Sequence, residues 1–158
     1  MKNYIYLIIL FNAFQACTAQ NKVKKDFIYH TADYDLGAIQ EERVYNSSTG
    51  IYEYKKYSKN NLEKNIKLYI RFNQEDLKTI YELYTSSKSE MSDCYFENNL
   101  LIHKSTLTFS SEKDGFNEIE CIKNDDNSIF TKIENKIEGH ITSSETYKTN
   151  FYWEFYKK

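Results

Sequence analysis

Three histidines, two neighbouring glutamates and two cysteines are the residues here whose chemistry goes beyond packing. His30, His103 and His140 lie far apart in the chain. No H-x3-H or H-E-x-x-H spacing occurs, which would set two ligands on one helical face. They read as ordinary strand or loop histidines, and no metal or cofactor is expected. Glu118 and Glu120 are two residues apart, which puts them on one face of a strand. Glycoside hydrolysis works through two carboxylates. A hydrolytic site assembled from distant residues would therefore draw first on His103, Glu118 and Glu120. A solvated strand edge is the simpler account of the two glutamates. The run Asn124-Asp125-Asp126-Asn127-Ser128 is rich in oxygen ligands. An EF-hand loop needs alternating ligands, and with Asp125 first Ile129 falls at the fifth position, so the run reads as helix-capping residues. No G-x-S-x-G, P-loop or G-x-G-x-x-G is present. With four glycines in all, a backbone cradle for phosphate is not expected. No catalytic residue is assigned.

The cysteines and aromatics carry more. Cys94 and Cys121 form an even pair once Cys17 is set aside with the N-terminal segment. In an exported chain an even pair predicts a disulfide; the competing account is two separate buried thiols. Tyrosine is abundant, at 15 residues, and proline is absent. Tyr and Trp combine large contact area with a polar tip and are enriched at interfaces. Alternation along a C-terminal strand puts Phe151, Trp153 and Phe155 inside and Tyr152 and Tyr156 outside. With Tyr52, Tyr54 and Tyr57, these form the candidate binding surface, an exposed aromatic face. Ordinary decoration of an antiparallel sheet is the competing account.

The first residues read as an export signal. Lys2 supplies a positive start, and Tyr4 to Phe14 is apolar except for Asn12. That run suits a signal segment and is too short for a bilayer span of about 20 residues. The stretch Phe14-Gln15-Ala16-Cys17 resembles the lipobox of bacterial lipoproteins, in which the chain is cut just before a cysteine that then carries lipid. Ala16 and Cys17 match; Phe14 and Gln15 depart from the usual residues. The resemblance covers this segment alone and implies lipidation at Cys17. An ordinary cut after Cys17-Thr18-Ala19 is the other reading. The expected organisation is a signal over 1–19, a tether over 20–25 and one domain over 26–158.

The remaining chain of about 140 residues suits one domain with its own core. Lys2 is the one basic residue in the signal, so 20 of the 21 Lys and Arg remain against 23 Asp and Glu. That balance lacks the basic bias of a nucleic-acid binder.

Strands are predicted at 26–31, 39–45, 51–57, 66–73, 93–97, 101–109 and 116–123, and at the C-terminus from Phe151, with 32–37 as a turn. The clearest signal is the alternation of Ile66, Leu68, Ile70 and Phe72 with polar residues. Asp114-Gly115 is a strong hairpin signal and pairs 101–109 with 116–123. Leu77, Ile80, Tyr81 and Tyr84 predict a helix over 74–86, capped by Asn73. Ile129, Ile133 and Ile137 predict a second, ending at Gly139, and 142–149 reads as loop. The fold class is α+β: an antiparallel sheet of six to eight strands with two helices packed on one face.

These features point to an exported or lipid-anchored protein of the cell envelope, most simply a non-enzymatic binding or accessory module, with inhibitor or immunity-like roles included. The expected partner is an envelope protein, with contact to the membrane through the lipid if Cys17 is acylated. A small envelope hydrolase and a structural component are the other two readings.

Overall fold

The structure is a computed structural model that describes residues 26–86, 92–109, 120, 121, 123 and 128–151. Six strands form one antiparallel sheet: β1 (Phe27–Asp35), β2 (Ala38–Asn46), β3 (Ile51–Ser58), β4 (Asn61–Tyr69), β5 (Ser92–Glu97) and β6 (Leu100–Phe109). Their order is β4-β3-β2-β1-β6-β5. Three helices accompany them among the described residues: α1 (Gln74–Ser86), α2 (Ile129–Ser143) and α3 (Glu145–Asn150). The fold is α+β.

Side chains of a strand alternate between faces, so directly opposed residues share a face. The register therefore defines rows across the sheet. Phe27 opposes Phe109. The next row on that face is Leu68, Tyr52, Tyr45, Tyr29 and Leu107. It is followed by Ile66, Tyr54, Arg43, Thr31, Ser105 and Asp93. The last is Lys64, Lys56, Glu41, Asp33, His103 and Tyr95. This Tyr29 face thus grades from wholly apolar to wholly polar along the strands. The opposite face carries His30, Ala32, Glu42, Lys55, Lys104 and Thr106.

The core occupies the apolar end of the Tyr29 face. Phe27 packs against Tyr45, Phe72 and Phe109 with ring centroids 5.9–6.0 Å apart. From α1, Tyr81 and Tyr84 meet Phe109. From α2, Phe130, Ile133, Ile137 and Ile141 are buried. From α3, Tyr147 meets Tyr52, and Phe151 just beyond it meets Tyr54.

Three hairpins turn through two residues each: Leu36-Gly37, Lys59-Asn60 and Asn98-Asn99. Both central residues of each have positive φ, from 47° to 80°. The closing pairs are Asp35–Ala38, Ser58–Asn61 and Glu97–Leu100. This is the type I′ geometry, whose twist matches that of the strands. Gly and Asn adopt it readily. A leucine in the left-handed region costs on the order of 1 kcal/mol, and Leu36 bears that cost.

Several sequence expectations need correction. The 32–37 turn is mostly strand, because β1 is bonded by β2 and β6 as far as Asp33 and by β2 to Asp35. The described part of β6 pairs with β1 and β5, and the predicted pairing of 101–109 with 116–123 is not among the described strand pairs. Most of 116–123, with its Asp114-Gly115 turn, lies outside the described residues. So do Cys17 with the signal segment and the predicted C-terminal strand beyond Phe151, which caps α3 where the strand was expected to open.

The helix 74–86 forms as expected, with the Asp76 N–H donating to Asn73 Oδ1 at 2.8 Å. The next helix does not stop at Gly139. Ile141 continues the spacing of Ile133 and Ile137, and all three are 0% exposed. Burying Ile141 is worth about 1.5–3 kcal/mol and outweighs the roughly 1 kcal/mol that a helical glycine costs. The expected 142–149 loop contains α3, capped by the Ser144 hydroxyl, which accepts from the Tyr147 N–H at 3.1 Å.

Cys94 and Cys121 form a disulfide across 27 residues, as predicted. Closing that loop removes about 3.5 kcal/mol of chain entropy from the unfolded state. The double substitution Cys94→Ala/Cys121→Ala is expected to lower urea-unfolding stability by about 2–4 kcal/mol. A change below about 1 kcal/mol would show that the cross-link does not constrain the unfolded chain.

Candidate functional site

The polar end of the Tyr29 face is where titratable groups converge. β1 supplies Asp33, β2 supplies Glu41 and Arg43, and β6 supplies His103. All lie on one face because each is an even number of residues from a core tyrosine or its row partner. Asp33 Oδ1 and His103 Nδ1 are 2.6 Å apart. Asp33 Oδ2 is 3.0 Å from the Arg43 guanidinium, which also donates to Glu41 Oε2 at 2.9 Å. Glu41 reaches Lys56 at 3.8 Å. From α2, Glu134 Oε1 accepts from the Tyr29 hydroxyl at 2.8 Å. Glu138, one turn further on, faces Tyr29, Arg43, Glu134 and His103.

These contacts set the charges. The hydrogen bond to Asp33 raises His103, although burial opposes it. The same bond lowers Asp33, with Arg43 adding to it. Burial raises Glu138 and outweighs Arg43. Burial, then Glu138 and Glu134, hold the Tyr29 phenol protonated. Arg43 remains charged because Asp33 and Glu41 outweigh its burial.

Beneath the charged row lie two hydroxyls. Thr31 Oγ1 and Ser105 Oγ are buried and have no hydrogen-bond partner among the described residues. They oppose each other across β1 and β6. Each such hydroxyl costs on the order of 1–3 kcal/mol.

A second polar cluster lies on the other face. Glu42 accepts from Lys55 at 3.0 Å and from the Tyr57 hydroxyl at 3.2 Å, and meets His30 Nε2 at 2.9 Å. Burial lowers His30 despite Glu42. Burial thus favours the neutral form of His30, whereas the contact with Asp33 favours the charged form of His103. Burial also lowers Lys104, which is 7% exposed.

Of the residues nominated from sequence, those that the structure describes are not brought together. His103 is on the Tyr29 face. The Glu120 carbonyl accepts from the Ser92 hydroxyl, and Ser92 is on the His30 face. Glu118 lies outside the described residues. Tyr52 and Tyr54, expected in an exposed aromatic face, are 2% and 4% exposed and belong to the core. They share a strand phase with the buried row, and Tyr147 and Phe151 cover them. Tyr57 is half-buried against Glu42, while Tyr152 and Tyr156 lie outside the described residues. No cluster of three or more His, Cys, Asp or Glu among the described residues can hold a metal ion.

Asp33 and Arg43 were missed. The signal was present: both are charged residues on the buried phase of a strand. Comparisons with protein-family models, with curated proteins and with solved structures find no match for this chain.

Two predictions follow from the geometry. His103 has a raised folded pKa, so its contribution is fully present below about pH 6.5 and is lost as pH rises through the folded value. Asp33 is depressed, so its contribution is present above about pH 4 and is lost as pH falls through its folded value. Stability from the pair therefore peaks in mildly acidic solution. In urea unfolding across pH 5–8, His103→Asn is expected to flatten the decline toward pH 8; an unchanged slope would sink the assignment. Glu138 is raised by burial, so its contribution to stability is present below about pH 4.5 and is lost as pH rises through its folded value; Glu138→Gln is expected to flatten the decline that begins there.

The hydroxyls give the second prediction. Thr31→Val and Ser105→Ala are expected to leave stability unchanged or raise it by about 1 kcal/mol, since each removes an unpartnered group. A loss above about 1 kcal/mol from both would show that they are satisfied by groups outside the described residues.

Proposed function

We propose that this chain is an exported, non-enzymatic binding or accessory module of the cell envelope, of inhibitor or immunity-like type, with its helices stacked over the Tyr29 face. One observation carries the reading: the side chains best suited to chemistry are engaged with one another or buried. His103 is held by Asp33, Asp33 also by Arg43, and Arg43 also by Glu41. Ser105, a hydroxyl two residues from His103, is 0% exposed. A nucleophile has to meet its substrate, and this one is covered. The Cys94–Cys121 disulfide suits an oxidising, extracytoplasmic setting. No helix of the described residues is long and apolar enough to cross a membrane, so membrane attachment in this reading comes from acylation of Cys17.

A second reading rests on the Asp33–His103 contact. A carboxylate on Nδ1 fixes the tautomer and orients Nε2 as a general base. In that reading the chain is a small envelope hydrolase using Asp33 and His103.

The two separate at the bench. The purified mature protein is expected to show only background turnover on a panel of chromogenic esters, glycosides and peptides. Turnover that falls at least 100-fold in His103→Ala would overturn the binding reading and establish the hydrolase.

A further inference from the structure

The three type I′ hairpins all turn at the same end of the sheet. β1–β2, β3–β4 and β5–β6 are consecutive pairs in an antiparallel order, so their turns share one edge. The β2–β3 turn and the exit to α1 lie at the other. At the hairpin edge Leu36 is 83% exposed, Leu62 52%, Phe96 48% and Leu100 44%. These are half of the eight exposed large hydrophobic residues of the described structure. Leu36 adds a second observation. It occupies a left-handed position, φ 47°, where Asn or Gly is at ease. It thus carries backbone strain for a leucine that remains almost wholly in solvent. Strain held at an exposed apolar residue points to contact with another molecule.

Resting on the binding reading above, the geometry points to this hairpin edge, centred on Leu36, as the docking surface for a folded protein with an apolar cleft and a rim of mixed charge. Size and charge select that occupant. Six strands at a spacing of about 4.8 Å span about 24 Å, and the edge is about 10 Å thick. A flat partner, including a second copy meeting it edge to edge, would cover about 240 Å² of it. A stable interface needs about 800 Å² from each side. A cleft that grips both flanks of the hairpins reaches that area. Asp35 and Glu97, both exposed, close the central hairpin and one outer hairpin, and exposed Lys59 sits in the turn of the other. Charges of both signs beside Leu36 would be costly to insert into a bilayer. A rim with cations opposite Asp35 and Glu97 and an anion opposite Lys59 complements them.

The test uses the full chain expressed in its own cells, with p-benzoylphenylalanine placed singly at position 36, 62 or 100, or at the control positions 28 and 82. Ile28 is an exposed residue of the His30 face, and Glu82 an exposed residue of α1. The expected result is the same protein adduct from 36, 62 and 100 and none from 28 or 82. Adding Leu36→Asn should cut the adduct from position 62 at least tenfold. The same substitution should raise Tm by roughly 2–4 °C, since Asn-Gly suits the turn better. A variant that is more stable but docks worse separates recognition from folding.

Equal adducts from 28 or 82, or no effect of Leu36→Asn, would overturn the edge while leaving a binding protein. An adduct of twice the chain mass, or binding to phosphatidylglycerol vesicles that Leu36→Asn abolishes, would overturn the occupant. No protein adduct from any of the five positions would overturn the edge and count against the binding reading itself.

Discussion

Strand β1 is hydrogen-bonded on both sides, to β2 and to β6, and its strict alternation decides what every other element meets. Phe27, Tyr29, Thr31 and Asp33 point to one face in that order. Each opposes residues of similar character on its neighbours, so the gradient from apolar to charged runs across the sheet. A slip of one residue in either register would exchange the two faces. Phe27 and Tyr29 would then leave the aromatic core for the His30 face, while His30 and Ala32 would take their places. The cost of that exchange, several buried aromatic side chains at about 1.5–3 kcal/mol each, pins the register more firmly than any single hydrogen bond.

The gradient gives the two ends of the Tyr29 face different roles. At the apolar end, ring packing and the isoleucines of α2 provide cohesion. At the polar end, Asp33, Arg43 and His103 meet the Glu134–Glu138 side of the same helix. A half-buried arginine held by Asp33 and Glu41 is costly to leave unpaired, so losing one partner destabilises more than forming the pair gains. The two histidine–carboxylate contacts show how local setting overrides residue type. His30 and His103 each bond one carboxylate on a neighbouring strand. Burial favours the neutral form of His30, whereas the short contact with Asp33 favours the charged form of His103.

Much of this was legible from local pattern. The 74–86 helix followed from Asn73 and the spacing of Leu77, Ile80 and Tyr84, which are features within a few residues. The α+β class followed from the order of periodicities, and the disulfide from an even cysteine pair. Errors arose where partners were distant. Tyr52 and Tyr54 looked like surface residues because their strand is flanked by lysines; Tyr147 and Phe151, about 95 residues away, cover them. Gly139 looked like a helix end because the value of burying Ile141 depends on the sheet beneath it. Asn98-Asn99 and Lys59-Asn60 were overlooked as turns because Asp114-Gly115 is the stronger textual signal. Two of the hairpins that build the exposed edge therefore went unseen.

By itself the sequence determined the kinds of element, because helical and strand periodicity arise from covalent geometry and the apolar pattern along the chain. It also limited any disulfide of the described domain to Cys94 with Cys121, and the structure joins the two. Only the tertiary structure decided which face each strand turns to the core, because two strand faces differ only by what later packs against them. It likewise decided that Asp33, Arg43, His103 and Glu138 meet, since they come from four elements that closure of the sheet and docking of α2 bring together. The leucines of the hairpin edge became a surface for the same reason: residues 36, 62 and 100 share an edge only once the strand order is set.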